Sequence, residues 1–504
     1  MPTCRVLIIA VCLDLAAAPI SWPPDPSRCE QCHKEYVLGN PSCASNTDIR
    51  VSHGGGNGTI SFAEFLDEVG SHSARTYLLE QSAQPYVVGC RWVRIGNNGA
   101  SGTVSCITIR GETGNREDVV LAGADPSEDP DFWKSSQYGG PSSCGIGQFM
   151  QLYNAEHIVI ADLTFRNFPG HMLKLDGNTD GGSPWYPRDI RFHNIEMWDC
   201  GDQMIKGAGD PIGCAGGILE CSYLHYTEGL FESTYETQGI DLHEAHNWVV
   251  RDNLFENIRV PKGVPNASNG AGVLMWDRTD SIHVERNCFI NCNAAIKLGA
   301  SWYDDECDWM TAVNNLIIYD DPDPSWEATN LFEIGRDVTR GGAYHNTIWN
   351  PAQPDNGTVV YCPNDIYPFE NNLYLHGSLH RAAGADNNVK VDGAAAFENP
   401  AAYDFRLSEN QTVPHVALVD TDIRGASRGD PPSAGAYEYG VSRAGPLRAR
   451  SITPISRAGG TVYSVSGRIV RSTVHHARGL PVGVYVVRRI DVGTGSRSGM
   501  VVVR

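Results

Sequence analysis

From residue 158 onward the chain repeats itself. The segments HIVIADLTFRNF, DIRFHNIEMWDC, GILECSYLHYTEG, WVVRDNLFENI, IHVERNCFINC, MTAVNNLIIYD, GGAYHNTIWNP and IYPFENNLYLHG share one pattern, in which short apolar runs flank a polar turn. Aligned on that turn, the position is held by Asp162, Asn194, Cys221, Asn253, Asn287, Asn315, Asn346 and Asn372, at steps of 32, 27, 32, 34, 28, 31 and 26 residues. A unit this short cannot bury an apolar face alone, so it must stack on its neighbours. The runs alternate with period two and are rich in β-branched and aromatic residues, which makes the stacked element a strand. A coil of strands is a β-helix. Its Val, Ile, Leu and Phe then fill the cylinder, while stacked Asn side chains bond from rung to rung in a structural role.

Upstream, SFAEFLDEVG places Phe62, Phe65, Leu66 and Val69 on one helical stripe, and Ser61 with Glu64 has the spacing of a capping box. Such a helix can plug the open end of a cylinder. ITIRGETGNREDVVLAG reads as two strands around a polar turn, hence an early coil. Together these features resemble the secreted right-handed parallel β-helix proteins of the pectate lyase-like superfamily. The resemblance covers residues 46 to 440 and includes closing segments NPAAYDFRL and DIRGASRGDPPSAGAYEYG. It implies an all-β, right-handed parallel β-helix with an N-terminal capping helix.

Charge divides the chain. The net charge is -20, but residues 441 to 504 hold eleven Arg and one acid, Asp491, which is +10 and leaves -30 on the remainder. A body of -30 is a poor partner for nucleic acid or an anionic membrane. Beyond a basic linker at 441 to 460, the stretches TVYSVSGRIVRS, GLPVGVYVVRR and SGMVVVR predict a small antiparallel β-sandwich at 461 to 504. With Gly467, Arg468, Gly483, Tyr485 and the valine-rich end, this module resembles the sorting domain of the bacterial type IX pathway, which implies that secretion machinery as a partner. The opening MPTCRVLIIAVCLDLAAAPISWPPD reads as a signal peptide over residues 1 to 21, ahead of a Cys/Pro-rich leader at 22 to 45. No other stretch is apolar enough to span a bilayer. The expectation is a monomer, secreted or at the cell surface. Thirteen cysteines remain after Cys4 and Cys12, an odd number, and Cys29 and Cys32 in CEQCHKEY suit a disulfide or loop better than a metal.

Chemistry-bearing residues gather after the turns. Stacking MLKLD, MIKGA, IDLHE, LMWDR and AIKLG gives a first outward column of Lys174, Lys206, Asp241, Met275 and Lys297, and a second of Asp176, Ala208, His243, Asp277 and Gly299. Rungs stand about 4.8 Å apart, so Lys206 and Asp241 can meet. Taken singly, each is ordinary decoration of a solvated strand. Jointly they suit an acidic polysaccharide, because removing the C5 proton beside a uronate carboxylate requires a cation there as charge develops. Lys206 can neutralise, His243 can transfer the proton, and Asp241 can support both.

GIDLHE resembles the Tyr-Gly-Phe-Asp-Pro-His motif of mannuronan C5-epimerases. The resemblance implies that Asp241 and His243 are catalytic together with Lys206 from the preceding coil. Lys174, Asp176, Gln238, Asp277 and Lys297 would line the substrate. Gln238 occupies the motif's tyrosine position, and Tyr235 and Tyr226 are the candidates to supply the missing phenol.

A second pattern competes: NTDG at 178 to 181 and GDQMIKG at 201 to 207 resemble polygalacturonases, with Asp180 and Asp202 as acids but Gln203 in place of the pair's other member. Hydrolysis ranks below lyase or epimerase chemistry. A non-catalytic glycan-binding surface is the remaining alternative. Calcium is a possible ligand through YDDECD (303 to 308) and YDDPDPS (319 to 325), although solvated turns explain both. No structural metal is expected; HEAH lies on a strand, where His243 and His246 do not converge.

Overall fold

The computed structural model of the protein describes residues 22, 25–40, 42–56, 58–96, 103–125, 127–129, 131–134, 147–177, 185–210, 212–227, 237–260, 270–299, 306–321, 323, 330–353, 358–363, 367–381, 387–441, 461–464, 469–471, 483–489 and 497–503. The expected signal peptide and nearly all of the linker lie outside them. Among the described residues, strands form sheets of 13, 11 and 10 members, each running through successive repeats. One turn of the coil is Arg188–His193, then Glu196–Cys200, then Ile205–Ala208, one strand for each sheet. The next turn pairs parallel with it in all three sheets, for example Ile190 with Gly217, Met197 with Leu224 and Ile205 with Ile240. This is an all-β, right-handed parallel β-helix: the repeat predicts the coil of strands, and the resemblance implies its hand.

The interior is one continuous apolar core from Val51 to Phe369. Alternate residues of each strand enter it, and aromatics stack along the axis, as Phe255 does on Phe289 with centroids 4.9 Å apart.

The turn column predicted from the sequence is two adjacent columns. Asp162, Asn194 and Cys221 belong to a left-handed position that continues through Asp252, Arg286, Asn314, His345 and Asn371, with φ between 50° and 59°. The asparagine ladder is the next position along. Asn253, Asn287, Asn315, Asn346 and Asn372 are fully buried. Each Nδ2 donates to the Oδ1 of the next rung at 2.9 to 3.1 Å, ending at Asn388. Ser222, not Cys221, receives this ladder, and its N–H donates to Asn253 Oδ1 at 3.0 Å.

At the N-terminal end, the helix Phe62–Glu68 carries the predicted capping box, with Ser61 and Glu64 exchanging both bonds. Phe65 packs edge-on to Tyr77 at 5.2 Å. The leader is docked rather than loose. Its helix Pro26–Cys32 lies against the first sheet, where Cys29 is bridged to Cys221 and Cys43 to Cys106. Cys29 therefore does not pair with its neighbour Cys32, whose thiol is free. On the second sheet, Trp349 meets Phe397 and Phe405 at 5.5 and 5.8 Å, so the closing segment covers that sheet's C-terminal half. The described strands of the tail form a four-stranded antiparallel sheet. No helix among the described residues is long and apolar enough to cross a membrane.

Candidate active site

The ten-stranded sheet carries the candidate residues on its outer face. Strand pairing sets an outward column in which Arg94, Gln151, Lys174, Lys206, Asp241, Leu274, Lys297 and Glu333 follow one another rung by rung. The next outward column runs Tyr153, Asp176, Ala208, His243, Trp276. Ile240 and Leu242 face the core with no exposure, which turns Asp241 and His243 the other way.

Lys206 stands at the centre. Its Nζ donates to Asp241 Oδ2 at 2.7 Å and lies 2.7 Å from His243 Nε2. An ammonium only donates, so in the neutral ring this contact requires Nε2 as the acceptor, with the proton on Nδ1, whereas the protonated ring turns Nε2 to Asp241 Oδ1 at 3.3 Å. Nδ1 faces Asp277 Oδ2 at 3.6 Å. Asp241 is 2% exposed. Trp276 Nε1 donates to its Oδ1 at 2.9 Å, and Gln203 Nε2 lies 3.4 Å from its Oδ2. Burial pushes this carboxyl up, but Lys206 and His243 outweigh burial and hold it well below the usual carboxylate range. Trp276 also meets the His243 ring edge-on at 4.2 Å. Behind the cluster, burial together with Lys174 and Lys206 presses the His171 imidazole down to about 3, and its Nδ1–H donates to Gln203 O at 3.3 Å.

A second charged group flanks His243. The donor atoms of His243, Glu244 and Asp277 all lie within 4.8 Å of one another, a set able to hold a divalent cation. Arg278 already supplies positive charge there: its guanidinium donates to Glu244 at 2.9 Å and to Asp210 at 3.0 Å, and stands 3.6 Å from Asp277. Burial, then the neighbouring Asp277, raise the Glu244 carboxyl to about 7 against the pull of His243 and Arg278.

Several expected positions move. Met275 is wholly buried, because the true register pairs Asp241 with Leu274 and His243 with Trp276. Asp277 has left the His243 column for the following turn, at φ 57°, yet still reaches the ring. Gln238 is 1% exposed, since it shares parity with Ile240, and so does not line the ribbon. Lys297 keeps its column but is enclosed at 4% exposure with Glu333 3.5 Å away. Lys174 and Asp176 remain on the ribbon, 3.6 Å apart. Tyr226 is buried with its hydroxyl donating to Asp202 O at 3.1 Å, so it supplies no phenol to the cluster; Tyr235 and Asp180 lie outside the described residues. Asp202 is 6% exposed, its Oδ1 3.8 Å from His171 Nδ1. His246 turns to the first sheet, 3.9 Å from Asp280. In the acid-dense loops, Asp308 pairs with Arg340 and Asp321 with Arg259.

Sequence reasoning missed Trp276 and Glu244. Parity counted from Val273 would have turned Trp276 outward. Glu244 had no signal beyond following His243, because its inclusion depends on a left-handed turn at φ 46°.

No protein-family profile matches the chain, and no curated protein matches it. Among solved structures, the chain is similar to the tailspike protein of E. coli bacteriophage HK620 in complex with a pentasaccharide, at 13% identity and a TM-score of 0.41. A double mutant of that tailspike, also with the pentasaccharide, matches at 13% identity and a TM-score of 0.42. Both matches cover 74% of this chain and 62% of the tailspike chain.

Proposed function

We propose that this protein is a carbohydrate-active β-helix that takes an acidic polysaccharide, a polyuronate, along the ribbon and abstracts its C5 proton, as a lyase or C5-epimerase. The observation that carries the reading is the single ammonium of Lys206 placed 2.7 Å from both Asp241 and His243. Without substrate, that ammonium occupies the lone pair a base would use. An incoming uronate carboxylate draws Lys206 toward itself, which neutralises the charge and uncovers Nε2 in one movement. The C5–H bond then breaks toward Nε2, and its electron pair passes into the carboxylate held by Lys206. The imidazolium is stabilised by Asp241 Oδ1 at 3.3 Å and by Asp277. Protonation of C5 from solvent on the opposite face, with His243 releasing its proton to water, gives the epimer; departure of the O4 substituent, which takes up the proton from the imidazolium, gives an unsaturated sugar.

Export accompanies this reading. Cystines such as Cys29–Cys221 suit an oxidising compartment, and the basic tail fits a type IX passenger acting as a monomer outside the cell.

One observation favours a second reading, a non-catalytic glycan-binding protein: Gln238 stands where the epimerase motif has tyrosine, and Tyr226 is turned away. The test presents alginate, pectate and glycosaminoglycans to the wild type and to His243→Ala. Ultraviolet absorbance of unsaturated uronates and deuterium exchange at C5 are followed. Turnover by the wild type, and its loss in a folded variant by about two to four orders of magnitude, supports the enzyme. Binding without turnover in either form leaves the binder.

A further inference from the structure

The eleven-stranded second sheet carries a cation left unpaired among the described residues. Phe165 and Met197 face the core, which turns Arg166 and Trp198 outward, into a column that runs Ala122, Arg166, Trp198, His225 and Glu256 on successive rungs. The Arg166 guanidinium lies 5.2 Å from the Trp198 ring centroid, and His225 stacks on the indole from the following rung at 5.5 Å. On the other side of Arg166 the column offers only the methyl of Ala122. Arg166 is half-buried, yet it makes no hydrogen bond and no ion pair with any described residue. Its Nε is sealed from solvent without an acceptor, and so is Trp198 Nε1 one rung away. Burying an N–H without an acceptor is costly, so two at adjacent positions of one column call for a cause.

The acids nearby are engaged elsewhere. Burial lowers the Arg166 guanidinium from its ordinary value, while Asp125, Glu196 and Asp199 raise it without coming into ion-pair reach. Asp125 accepts from the backbone and hydroxyl of Ser127 at 2.9 and 2.7 Å, and Asp199 accepts from those of Thr227 at 3.0 and 3.1 Å. Glu196 accepts from Thr164 at 3.3 Å and meets His225 Nε2 at 3.0 Å. A guanidinium over an aromatic ring is held by its face and keeps its N–H edge for an anion.

We propose that Arg166, on its Trp198 platform, is a binding site for a single carboxylate group, carried by a uronic acid residue of an otherwise neutral glycan or by a small free acid. The site lies on a different sheet from Lys206, goes beyond the proposed function and does not depend on it. The planar fork of a guanidinium matches a carboxylate through two parallel bonds. Charge limits the occupant. One guanidinium stands among three acids, so a second negative charge on the ligand is repelled. Polyanions therefore belong to the ribbon, where Lys174 and Lys206 stand on adjacent rungs, and singly charged ligands belong here.

Phenylglyoxal modifies accessible guanidiniums, and peptide mass spectrometry of the full chain reads Arg166 separately from every other arginine. Without ligand, Arg166 should react about tenfold faster than Arg251 and Arg286, which carboxylates hold. Methyl glucuronide should slow Arg166 saturably, by about fivefold at millimolar concentration, and leave the half-exposed Arg50 unchanged. Acetate is the second arm: protection by the glucuronide alone assigns a sugar-borne carboxylate, and equal protection by both assigns a small free acid. Protection by neither overturns the site, as does an Arg166 that reacts no faster than Arg286. Better protection by trigalacturonate than by the single sugar overturns the limit to one charge. Arg166→Gln should bind alginate and pectate polymers as the wild type does, with melting temperature as a folding control; a loss of polymer binding in the folded variant would make this face part of the ribbon's own site and overturn its independence. If the wild type binds no acidic polymer while Arg166 is still protected, the proposed function fails and this site stands.

Discussion

Asp241 keeps its charge at 2% exposure because Lys206, Trp276 and Gln203 all turn donors toward it. Such a pair is costly to break on one side, since the remaining charge loses its partner without regaining water. Lys206→Met should therefore lower stability by about 3–5 kcal/mol, and adding Asp241→Asn should recover most of the loss; urea unfolding of both variants is the check. Equal stability of the single and double variants would show that the carboxylate never depended on the lysine. Glu244 gives a pH prediction. Its folded carboxyl sits at about 7, above the ordinary 4.5, so between those values the folded protein keeps a proton that the unfolded chain has lost. Stability should therefore fall as pH rises through that window and level off above it. Glu244→Gln removes this contribution, so its melting temperature relative to wild type should climb from pH 4.5 to 7. A constant difference would show that Glu244 ionises normally.

At the scale of the element, the asparagine ladder is the clearest load on a single side chain. Asn315 accepts from the backbone N–H and Nδ2 of Asn287 at 3.0 and 3.1 Å, and donates to Val284 O and Asn346 Oδ1 at 3.0 and 2.9 Å. Asn315→Ala orphans buried groups on both neighbouring rungs. At about 1–3 kcal/mol for each unsatisfied group, a loss of at least 3 kcal/mol is expected in chemical denaturation, and a loss below 1 kcal/mol would mean the ladder is dispensable. The same column shows what sequence can and cannot reveal. Strands and coil were legible because inward positions are apolar at period two. Exact turn register was not, because the left-handed and ladder positions are neighbours that both accept polar residues: Asp252 beside Asn253, Asn314 beside Asn315, Asn371 beside Asn372. The slip at LMWDR has a related cause. Val273 and Met275 face in while Leu274 and Trp276 face out, so four apolar residues in a row carry no alternation to read. In GIDLHE the outward residues are charged, and there the face, the register and the meeting of Lys206 with Asp241 were all readable. Lys297 looked like an open cation because enclosure by Glu333, one rung and dozens of residues later, leaves no local mark.

For the whole molecule, a solenoid poses a problem of cooperativity, because each rung touches only its neighbours and end rungs can fray independently. The leader answers it by running along the outside of the first sheet and tying separated rungs together. Cys43 is bridged to Cys106 in an early coil, His33 Nε2 lies 2.7 Å from Asp162, Cys29 is bridged to Cys221, and Arg28 donates to Asp252 at 3.0 Å. Arg28 also donates to Ile423 O at 2.8 Å, so the strap reaches the closing segment. The rungs of Lys206 and Asp241 lie within this span. The Cys29–Cys221 bridge closes a loop of 192 residues, and chain entropy assigns such a closure roughly 5 kcal/mol. Cys29→Ser should lower the thermal midpoint and broaden the transition, because the strapped rungs no longer melt as one. Hydrogen exchange locates the effect. Amides of Ile205–Ala208 and Gln238–His243 should lose protection in the variant, whereas those of Phe332–Ile334, whose rung receives no bond from the leader's helix among the described residues, should keep theirs. Uniform loss along the cylinder would mean that the β-helix already unfolds as a single unit and that the bridge acts only on the unfolded chain; selective loss would place the strap among the elements that hold Lys206 and His243 in contact.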